Sequence, residues 1–191
     1  MIDASPFLSP QAYLEWEERQ QERYEYRDGR VWARMGDTLP HSSITVNFAA
    51  LLRNYLRGSG YRILSCTAKV GSVDKEMFLY PDVNVTDDER DRTALKFVRY
   101  PCLIAEVLSP ATEADDRGGK FAQYRRLESL KEYVLISSDS INVEIFRLNE
   151  NNKWELTPYA EGEEVHLVSV DLKFSIDVLY EEINLNPETV E

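Results

Sequence analysis

The sequence predicts a single α/β domain in which a mixed β-sheet is flanked by helices. Helical and strand-like patterns alternate along the chain, and this order favours one mixed sheet. Residues 101–108 are so apolar that both faces of a strand there should be covered, as in α/β proteins. The 191 residues, 43% of them hydrophobic, suffice for one domain over residues 1–191 with its core at about 10–180.

The N-terminal part of the chain has turn and cap signals that delimit two helices and a hairpin. Ser9-Pro10 should open a helix, because serine accepts from free amides and proline suits the first turn. Asp28-Gly29 is a preferred tight-turn pair and predicts a β-hairpin around it. A second helix should begin at Pro40-His41, after which apolar residues recur at helical spacing.

The middle of the chain predicts strands separated by a charged loop. Residues 61–70 and 78–86 have the composition of strands. Pro81 removes one ladder amide, so the second of these strands should be irregular near Asp82. Residues 87–92 are charged and are expected to form a mobile loop before the apolar strand.

The C-terminal part predicts one long helix, over about residues 113–128, followed mainly by strands. Gly118-Gly119 is unusual inside a helix, because each glycine costs roughly 1 kcal/mol relative to alanine. Either the helix starts there, or the backbone closely approaches a packed strand or a phosphate backbone. The other expected elements are strands at 132–137, 142–148 and 154–159, a short helix at 175–182 and a loose tail at 184–191.

The composition argues against several classes of function. The net charge of −12, from 22 basic and 34 acidic residues, counts against a broad grip on nucleic acid but not against a nuclease with an acidic metal site. Phosphate-loop, dinucleotide-binding and nucleophile-elbow motifs are absent, and two histidines cannot supply a His-rich zinc site. Because neither a signal peptide nor an apolar run of ~20 residues is visible, we expect a cytoplasmic protein with no membrane partner.

Two acidic residues stand inside apolar, strand-like runs. Asp82 lies in YPDVNV and Glu106 lies in LIAEVLSP. A buried carboxylate needs a cation, a donor network or a proton, and two of them on neighbouring strands would suit a hard divalent ion such as Mg²⁺. The alternative is that each acid pairs with a buried arginine or caps a loop.

Further candidate groups lie on other predicted elements. Lys120 shares a helical face with Asp116 and Tyr124, from which its ammonium could orient a water or stabilise charge on a phosphate. The alternative for Lys120 is an exposed ion pair with Asp116. Glu25, on the hairpin, could reach the same cleft as a third carboxylate, and His41 could bond a helix amide or an acid.

Six short motifs follow one another over roughly residues 10–160. They are YExxDG at 24–29, HS at 41–42, YPDV at 80–83, EVLSPAT at 106–112, DRGxKxxxY at 116–124 and SLxEY at 129–133. In this order they resemble the Uma2 family, also called DUF820, whose members are inferred to be endonucleases. That family is similar to the PD-(D/E)xK nucleases, whose fold resembles restriction endonucleases.

The resemblance implies a restriction endonuclease-like fold and an endonuclease that hydrolyses DNA with Mg²⁺ or Mn²⁺. It implies that Asp82 and Glu106 hold the metal, with the Val107 carbonyl as a further ligand. Leu108 stands where the superfamily motif has lysine, and the family pattern suggests that Lys120 takes over that role. The additional candidate residues are Glu25, His41 and Tyr124. Because many related nucleases act as dimers to cut two strands, a homodimer is also expected.

A second hypothesis is a catalytically inactive nuclease fold that binds protein or nucleic acid. The net charge of −12 and the leucine at position 108 favour it. A third is a structural or oligomerisation domain, which would need exposed aromatic patches. The sequence leaves the choice between DNA and RNA open.

Overall fold

The structure, a computed structural model, describes residues 7–34, 38–72, 74 and 76–185. The strands in these ranges are β1 Tyr24–Arg27, β2 Arg30–Ala33, β3 Arg62–Ser65, β4 Val70–Gly71, β5 Met77–Leu79, β6 Val83–Thr86, β7 Leu103–Leu108, β8 Glu132–Ser137, β9 Asn142–Leu148, β10 Trp154–Ala160, β11 Glu164–Leu167 and β12 Leu172–Ser175. The α-helices are α1 Pro10–Glu17, α2 Leu39–Tyr55, α3 Glu89–Arg92, α4 Glu113–Asp115 and α5 Phe121–Tyr124. A π-helical turn, Asp116–Lys120, joins α4 to α5, and 3-10 turns lie at Val168–Val170 and Ile176–Tyr180.

The central sheet has six strands in the order β10-β9-β8-β7-β6-β3. Only the β7–β8 pair is parallel, and the other neighbours in this sheet are antiparallel. All six residues of β7 are buried, so this strand is covered on both faces. The predicted mixed α/β architecture is therefore confirmed.

The two faces of the central sheet pack against different helical segments. On one face, Phe48 of α2 packs in a cluster with Leu103, Ala105 and Val107 of β7. On the other face, Ile104 packs in a cluster with Tyr124, Leu127 and Leu130. Because side chains alternate along a strand, Glu106 faces the second side, toward the segment that contains the π-turn.

A smaller antiparallel sheet, in the order β2-β1-β5-β4, is built on the predicted hairpin. Asp28 and Gly29 form its turn with positive φ values of 48° and 89°. At position 29, glycine adopts such a value without steric cost. Pro81-Asp82 connects β5 of this sheet to β6 of the central sheet. The irregularity predicted at Pro81 is thus the point where the chain passes from one sheet to the other.

Several elements differ from their predicted extent. Residues 61–70 and 78–86 each form two short strands instead of one. The two strands of each range belong to different sheets, so each strand ends where its neighbouring strand ends and not where its composition changes. Residues 87–92 contain α3, which is capped by the Asp88 carboxylate accepting from the Arg90 amide at 2.9 Å. The prediction of a mobile loop there was therefore wrong.

The predicted long helix is also interrupted. The helical segment ends at Tyr124 rather than near residue 128, and the π-turn around Gly118-Gly119 divides it. The low helix propensity of the two glycines weakens the regular α-helical hydrogen bonding there. The hairpin of β11 and β12 was not predicted, and the predicted last helix is a 3-10 turn. Of the predicted tail, residues 186–191 lie outside the described residues. Within the described part of the chain, no helix is both long enough and apolar enough to cross a membrane.

A buried carboxylate ties the β11–β12 hairpin to the central sheet. Glu132 at the start of β8 is fully buried and accepts from Arg147 Nε at 2.8 Å. Its two oxygens also accept from the backbone amides of Val168 and Ser169 at 3.1 and 2.8 Å and from the Ser169 hydroxyl at 2.5 Å. The charge is thus satisfied by a cation and by the turn that connects the two hairpin strands.

Replacing Glu132 with alanine should lower the free energy of unfolding by about 3 kcal/mol, because Arg147 and the two amides lose their acceptor. Urea denaturation followed by circular dichroism measures the change. Glu164→Ala, at an exposed position of the same hairpin, is the control and should stay within about 0.5 kcal/mol of the parent. Equal losses in the two variants would contradict this role of Glu132.

Candidate active site

A small polar pocket lies next to the junction where the chain passes between the two sheets. It has about 40 Å³ of open space, against the roughly 10–15 Å³ that one water needs. It therefore has room for an ion and a few waters but not for a nucleotide. The residues that line it are Glu25, Ala33, Arg34, His41, Asp82, Glu106, Val107, Ala111, Thr112, Asp115, Asp116 and Lys120.

The central sheet brings the two predicted acids together. Val83 pairs with Ala105 in the antiparallel β6–β7 ladder. Extending this register by one residue places Asp82 opposite Glu106. Residues opposite one another in a ladder share a face of the sheet. The β6 strand ends at this point, and the Val107 amide donates instead to Asp82 Oδ2 at 2.8 Å.

Two basic side chains hold the Asp82 carboxylate. Arg34 Nη2 donates to Oδ1 at 2.6 Å, and its Nη1 donates to the Cys66 carbonyl at 2.6 Å. His41 Nε2 lies 3.1 Å from Oδ2. Burial alone would raise the pKa of Asp82, but the hydrogen bond and charge of His41, with Arg34 and Lys120, outweigh it and lower the pKa. Asp82 is therefore held in its ionised form.

Lys120 supplies the cation at the centre of the other acids. Its Nζ lies 2.9 Å from Asp116 Oδ1, 3.1 Å from Glu106 Oε1 and 3.8 Å from Glu25 Oε1. Burial alone would lower the pKa of the ammonium, but Glu106, Glu25 and Asp116 outweigh it and hold the pKa well above its usual range. The surrounding carboxylates therefore favour the charged form of Lys120.

Glu106 is almost completely buried. Burial raises its pKa well above the usual range against the opposing charge of Lys120, and the neighbouring carboxylates raise it further. The Tyr124 hydroxyl donates to Glu106 Oε1 at 2.9 Å. Burial, followed by the Glu106 charge, raises the pKa of this phenol well above its usual range, so Tyr124 acts as a donor.

The π-turn places Asp116 and Lys120 on the pocket and brings its backbone against another ion pair. Arg27 of β1 forms two 2.8 Å hydrogen bonds with the carboxylate of Asp115. The Arg27 guanidinium also lies 4.6 Å from the centre of the Trp32 ring. A Cβ on Gly119 would stand 2.3 Å from Asp115 Oδ1 and 2.6 Å from Arg27 Nη1. A side chain at position 119 would have to displace the ends of Asp115 and Arg27, so glycine leaves this pair undisturbed where it crosses the turn, and the close neighbour is a side chain of strand β1.

The structure brings the residues proposed from the sequence into one place. Those that line the pocket are Glu25, His41, Asp82, Glu106, Val107 and Lys120, while Tyr124 contacts it through Glu106. The alternative of a separate arginine for each acid holds for Asp82 with Arg34 but not for Glu106. The alternative of an exposed Asp116–Lys120 pair was wrong, since both side chains are buried.

Three charged pocket residues, Arg34, Asp115 and Asp116, were missed by sequence reasoning as members of the site. Arg34 follows the hairpin directly, and its pairing with Asp82 spans 48 positions, so no local pattern shows it. Asp116 was named as a partner of Lys120 and as the first residue of the DRGxKxxxY motif, but not as a site residue. Its place in that motif, four residues before a candidate catalytic lysine, was a signal that could have added it.

The donor chemistry of the pocket fits a hard divalent cation. Mg²⁺ and Mn²⁺ prefer oxygen ligands, and five carboxylates line the pocket against the charges of Lys120 and Arg34. Asp116 Oδ1 is buried and accepts no well-angled hydrogen bond, although the Lys120 ammonium is 2.9 Å away. Among the described residues, no three His, Cys, Asp or Glu side chains already stand in the arrangement of a metal site.

Comparisons with known proteins show the family and the fold of this chain. Residues 10–179 match the sequence model of the Uma2 family, described as "Putative restriction endonuclease". Two Synechocystis proteins, both named as uncharacterized, are similar. One, slr1290, is 42% identical over 175 residues, covering 92% of each chain, and the other, sll1609, is 30% identical over 159 residues, covering 82% of this chain and 90% of its own.

A solved structure has the same fold. It is described as a "putative nuclease belonging to DUF820" from Anabaena variabilis and superposes with a TM-score of 0.75 at 17% identity, covering 91% of this chain and 97% of that one. The predicted restriction endonuclease-like α/β fold is therefore confirmed.

Gly119→Ala should destabilise the protein by about 1–2 kcal/mol, because the new Cβ displaces the Arg27–Asp115 pair and weakens charged hydrogen bonds. Gly118→Ala is the matched control, since no atom lies within 4 Å of its Cβ position and alanine improves helix propensity. Chemical denaturation of both variants measures the difference. If the variant at 119 were as stable as the one at 118, the close approach would have no energetic consequence.

Lys120→Met should destabilise the protein by about 3–5 kcal/mol in EDTA, because buried carboxylates lose their cation. Adding Glu106→Gln to this variant should recover part of the loss, since one uncompensated charge is removed. A double-mutant cycle on unfolding free energies measures the coupling. Lys131→Met, at an exposed position, is the control. Additive losses for positions 106 and 120 would contradict the direct ion pair.

Proposed function

The chain belongs to the Uma2 family, and from this premise and the geometry of its pocket we propose that it is a metal-dependent endonuclease. It hydrolyses phosphodiester bonds of DNA and uses Mg²⁺ or Mn²⁺. The observation that carries the proposal is the opposition of Asp82 and Glu106 across adjacent strands, with the Lys120 ammonium 3.1 Å from Glu106 in the same open pocket. Carboxylates, a lysine and room for water are the groups that this hydrolysis needs.

Asp82, Glu106 and the Val107 carbonyl would hold the divalent ion. Asp82 is already ionised, and the amide and carbonyl of a strand residue point to the same side, so the Val107 carbonyl accompanies its amide toward Asp82. Asp116 adds a fourth oxygen ligand close to Lys120. When bound, such an ion polarises a phosphate oxygen and lowers the pKa of a coordinated water.

The protein's own side chains then position the metal ligands and the water and stabilise the charge that develops on the phosphate. Lys120 stays protonated, so it stabilises negative charge that develops on the phosphate and orients the water. Tyr124 fixes Glu106, and Arg34 and His41 fix Asp82, which makes these three positioning residues. Because the pocket has only about 40 Å³ of open space, the scissile phosphate approaches its mouth while the rest of the strand stays outside.

One observation favours the second function, a catalytically inactive scaffold. Asp82 already accepts from Arg34 and from the Val107 amide and lies 3.1 Å from His41, so its charge is compensated without a metal. In a scaffold these contacts are permanent. In the proposed nuclease, Asp82 would bind the ion beside these contacts, and ion binding would stabilise the folded state by mass action.

The purified protein should cleave supercoiled plasmid DNA with Mn²⁺ or Mg²⁺, and its melting temperature should rise with Mn²⁺. Asp82→Asn and Glu106→Gln should each lower the cleavage rate at least about 100-fold. Mutating a residue that only hydrogen-bonds to a metal ligand already costs 10–100-fold, and these two changes alter the ligands themselves. Both variants should also lose the Mn²⁺-dependent rise in melting temperature.

Glu113→Gln is the matched control, because Glu113 is on the neighbouring α4 helix but exposed and outside the pocket. It should cleave at the parental rate. An increase in melting temperature without cleavage would favour a metal-binding scaffold. Cleavage that survives in both the 82 and 106 variants would refute the assignment.

A further inference from the structure

A second, larger cavity lies beside the pocket along α2, and His41 lines both. It is a groove of about 410 Å³ between α2 and the edge strand β3. The residues that line this α2–β3 groove are His41, Ser42, Thr45, Val46, Ala49, Ala50, Arg53, Ile63, Leu64, Ser65 and Cys66. A groove of this volume suits a ligand of drug-like size, which is also the size of one or two nucleotides.

The inner end of the α2–β3 groove reaches the proposed metal ligand. His41 Nε2 is 3.1 Å from Asp82 Oδ2 and lines both the pocket and the groove. Cys66 also lines the groove, and its Sγ is 4.0 Å from Asp82 Oδ1. A chain that leaves the pocket on this side therefore enters the groove directly.

The side chains that form the walls of the α2–β3 groove are mostly small or apolar, and the side chain at its outer end is a cation. Val46 is 62% exposed although it is apolar, and Ala50 is also exposed. Arg53 lies twelve residues after His41 on α2, about 18 Å along the helix axis at 1.5 Å per residue. Arg53 is exposed, and within the described residues it has no ion-pair partner.

The charge of the protein limits how it can hold a polyanion. With a net charge of −12 it cannot rely on broad neutralisation of phosphates. Contacts with base faces are the other source of affinity for a nucleic acid strand, and they require bases that are unpaired. Single-strand binders stack such bases mostly on aromatic side chains, whereas this groove offers small aliphatic ones. The α2–β3 groove offers this surface beside the pocket, with one cation at its far end.

We propose that the α2–β3 groove binds an unpaired segment of the substrate strand next to the scissile phosphate. The bases lie against Val46, Ala50 and the β3 side, and Arg53 pairs with a backbone phosphate. This deepens the proposed nuclease function and rests on it. It predicts that single-stranded DNA, or DNA with a locally unpaired strand such as a junction or a supercoiled plasmid, is cleaved in preference to a relaxed duplex.

Fluorescence anisotropy with a labelled single-stranded oligonucleotide and the matching duplex, in Ca²⁺ to avoid cleavage, tests this. The full-length protein should bind the single strand more tightly than the duplex. Val46→Glu and Arg53→Glu should each weaken single-strand binding roughly tenfold, corresponding to one lost contact. Their matched controls are Ser43→Glu and Arg57→Glu, exposed positions outside the groove lining with the same charge changes, and these should bind like the parent.

Equal affinity for the single strand and the duplex, or equal effects of the groove variants and their controls, would overturn the proposal. So would a change of oligomeric state in Val46→Glu by analytical ultracentrifugation, because the exposed edge of β3 would then hold a second copy. Plasmid cleavage and the Mn²⁺ melting shift are measured separately on the same variants. Their failure in the parent, with selective single-strand binding retained, would refute the nuclease and leave the groove site standing.

Discussion

The structure around the pocket depends on the charge balance at one buried ammonium. Lys120 lies within 4 Å of carboxylates that come from β1, from β7 and from its own π-turn. Burying any of these acids without a cation costs several kcal/mol. Lys120 therefore links the small sheet, the central sheet and the interrupted helix. Its charge allows several carboxylates to be buried side by side in the folded protein.

The passage of the chain between the two sheets explains why Asp82 is available for chemistry. Pro81 cannot donate to a ladder, so pairing stops between β5 and β6. Beyond the end of β6, the Val107 amide has no backbone partner on that strand and donates to the Asp82 carboxylate. The same break that ends the ladder thus orients an acid toward an open space, as is common where irregular strands border a site.

The sequence predicted those parts of the site whose signals are local. Asp82 and Glu106 stand out because a lone acid in an apolar run conflicts with burial, and strand alternation then sets their faces. Arg34 could not be predicted, because its contact with Asp82 depends on how the hairpin packs on the central sheet. The split into two sheets was missed for the same reason, since periodicity determines the type of an element and not its partners. The interruption of the helix at Gly118-Gly119 was visible, but the ion pair that crosses it was not.

In the proposed nuclease, the division between an acidic pocket and an apolar groove would resolve a conflict in what the site must bind. Carboxylates that suit a divalent cation repel the phosphates of a strand at the same place, and a pocket of about 40 Å³ cannot offset that repulsion with other contacts. Affinity for the strand must then come from a neighbouring surface. In this chain the neighbouring surface is apolar, reaches Asp82 through His41 and Cys66, and has its cation at the far end, away from the acids. Such an arrangement separates the charge that holds the ion from the contacts that hold the strand, so each can be strong without weakening the other.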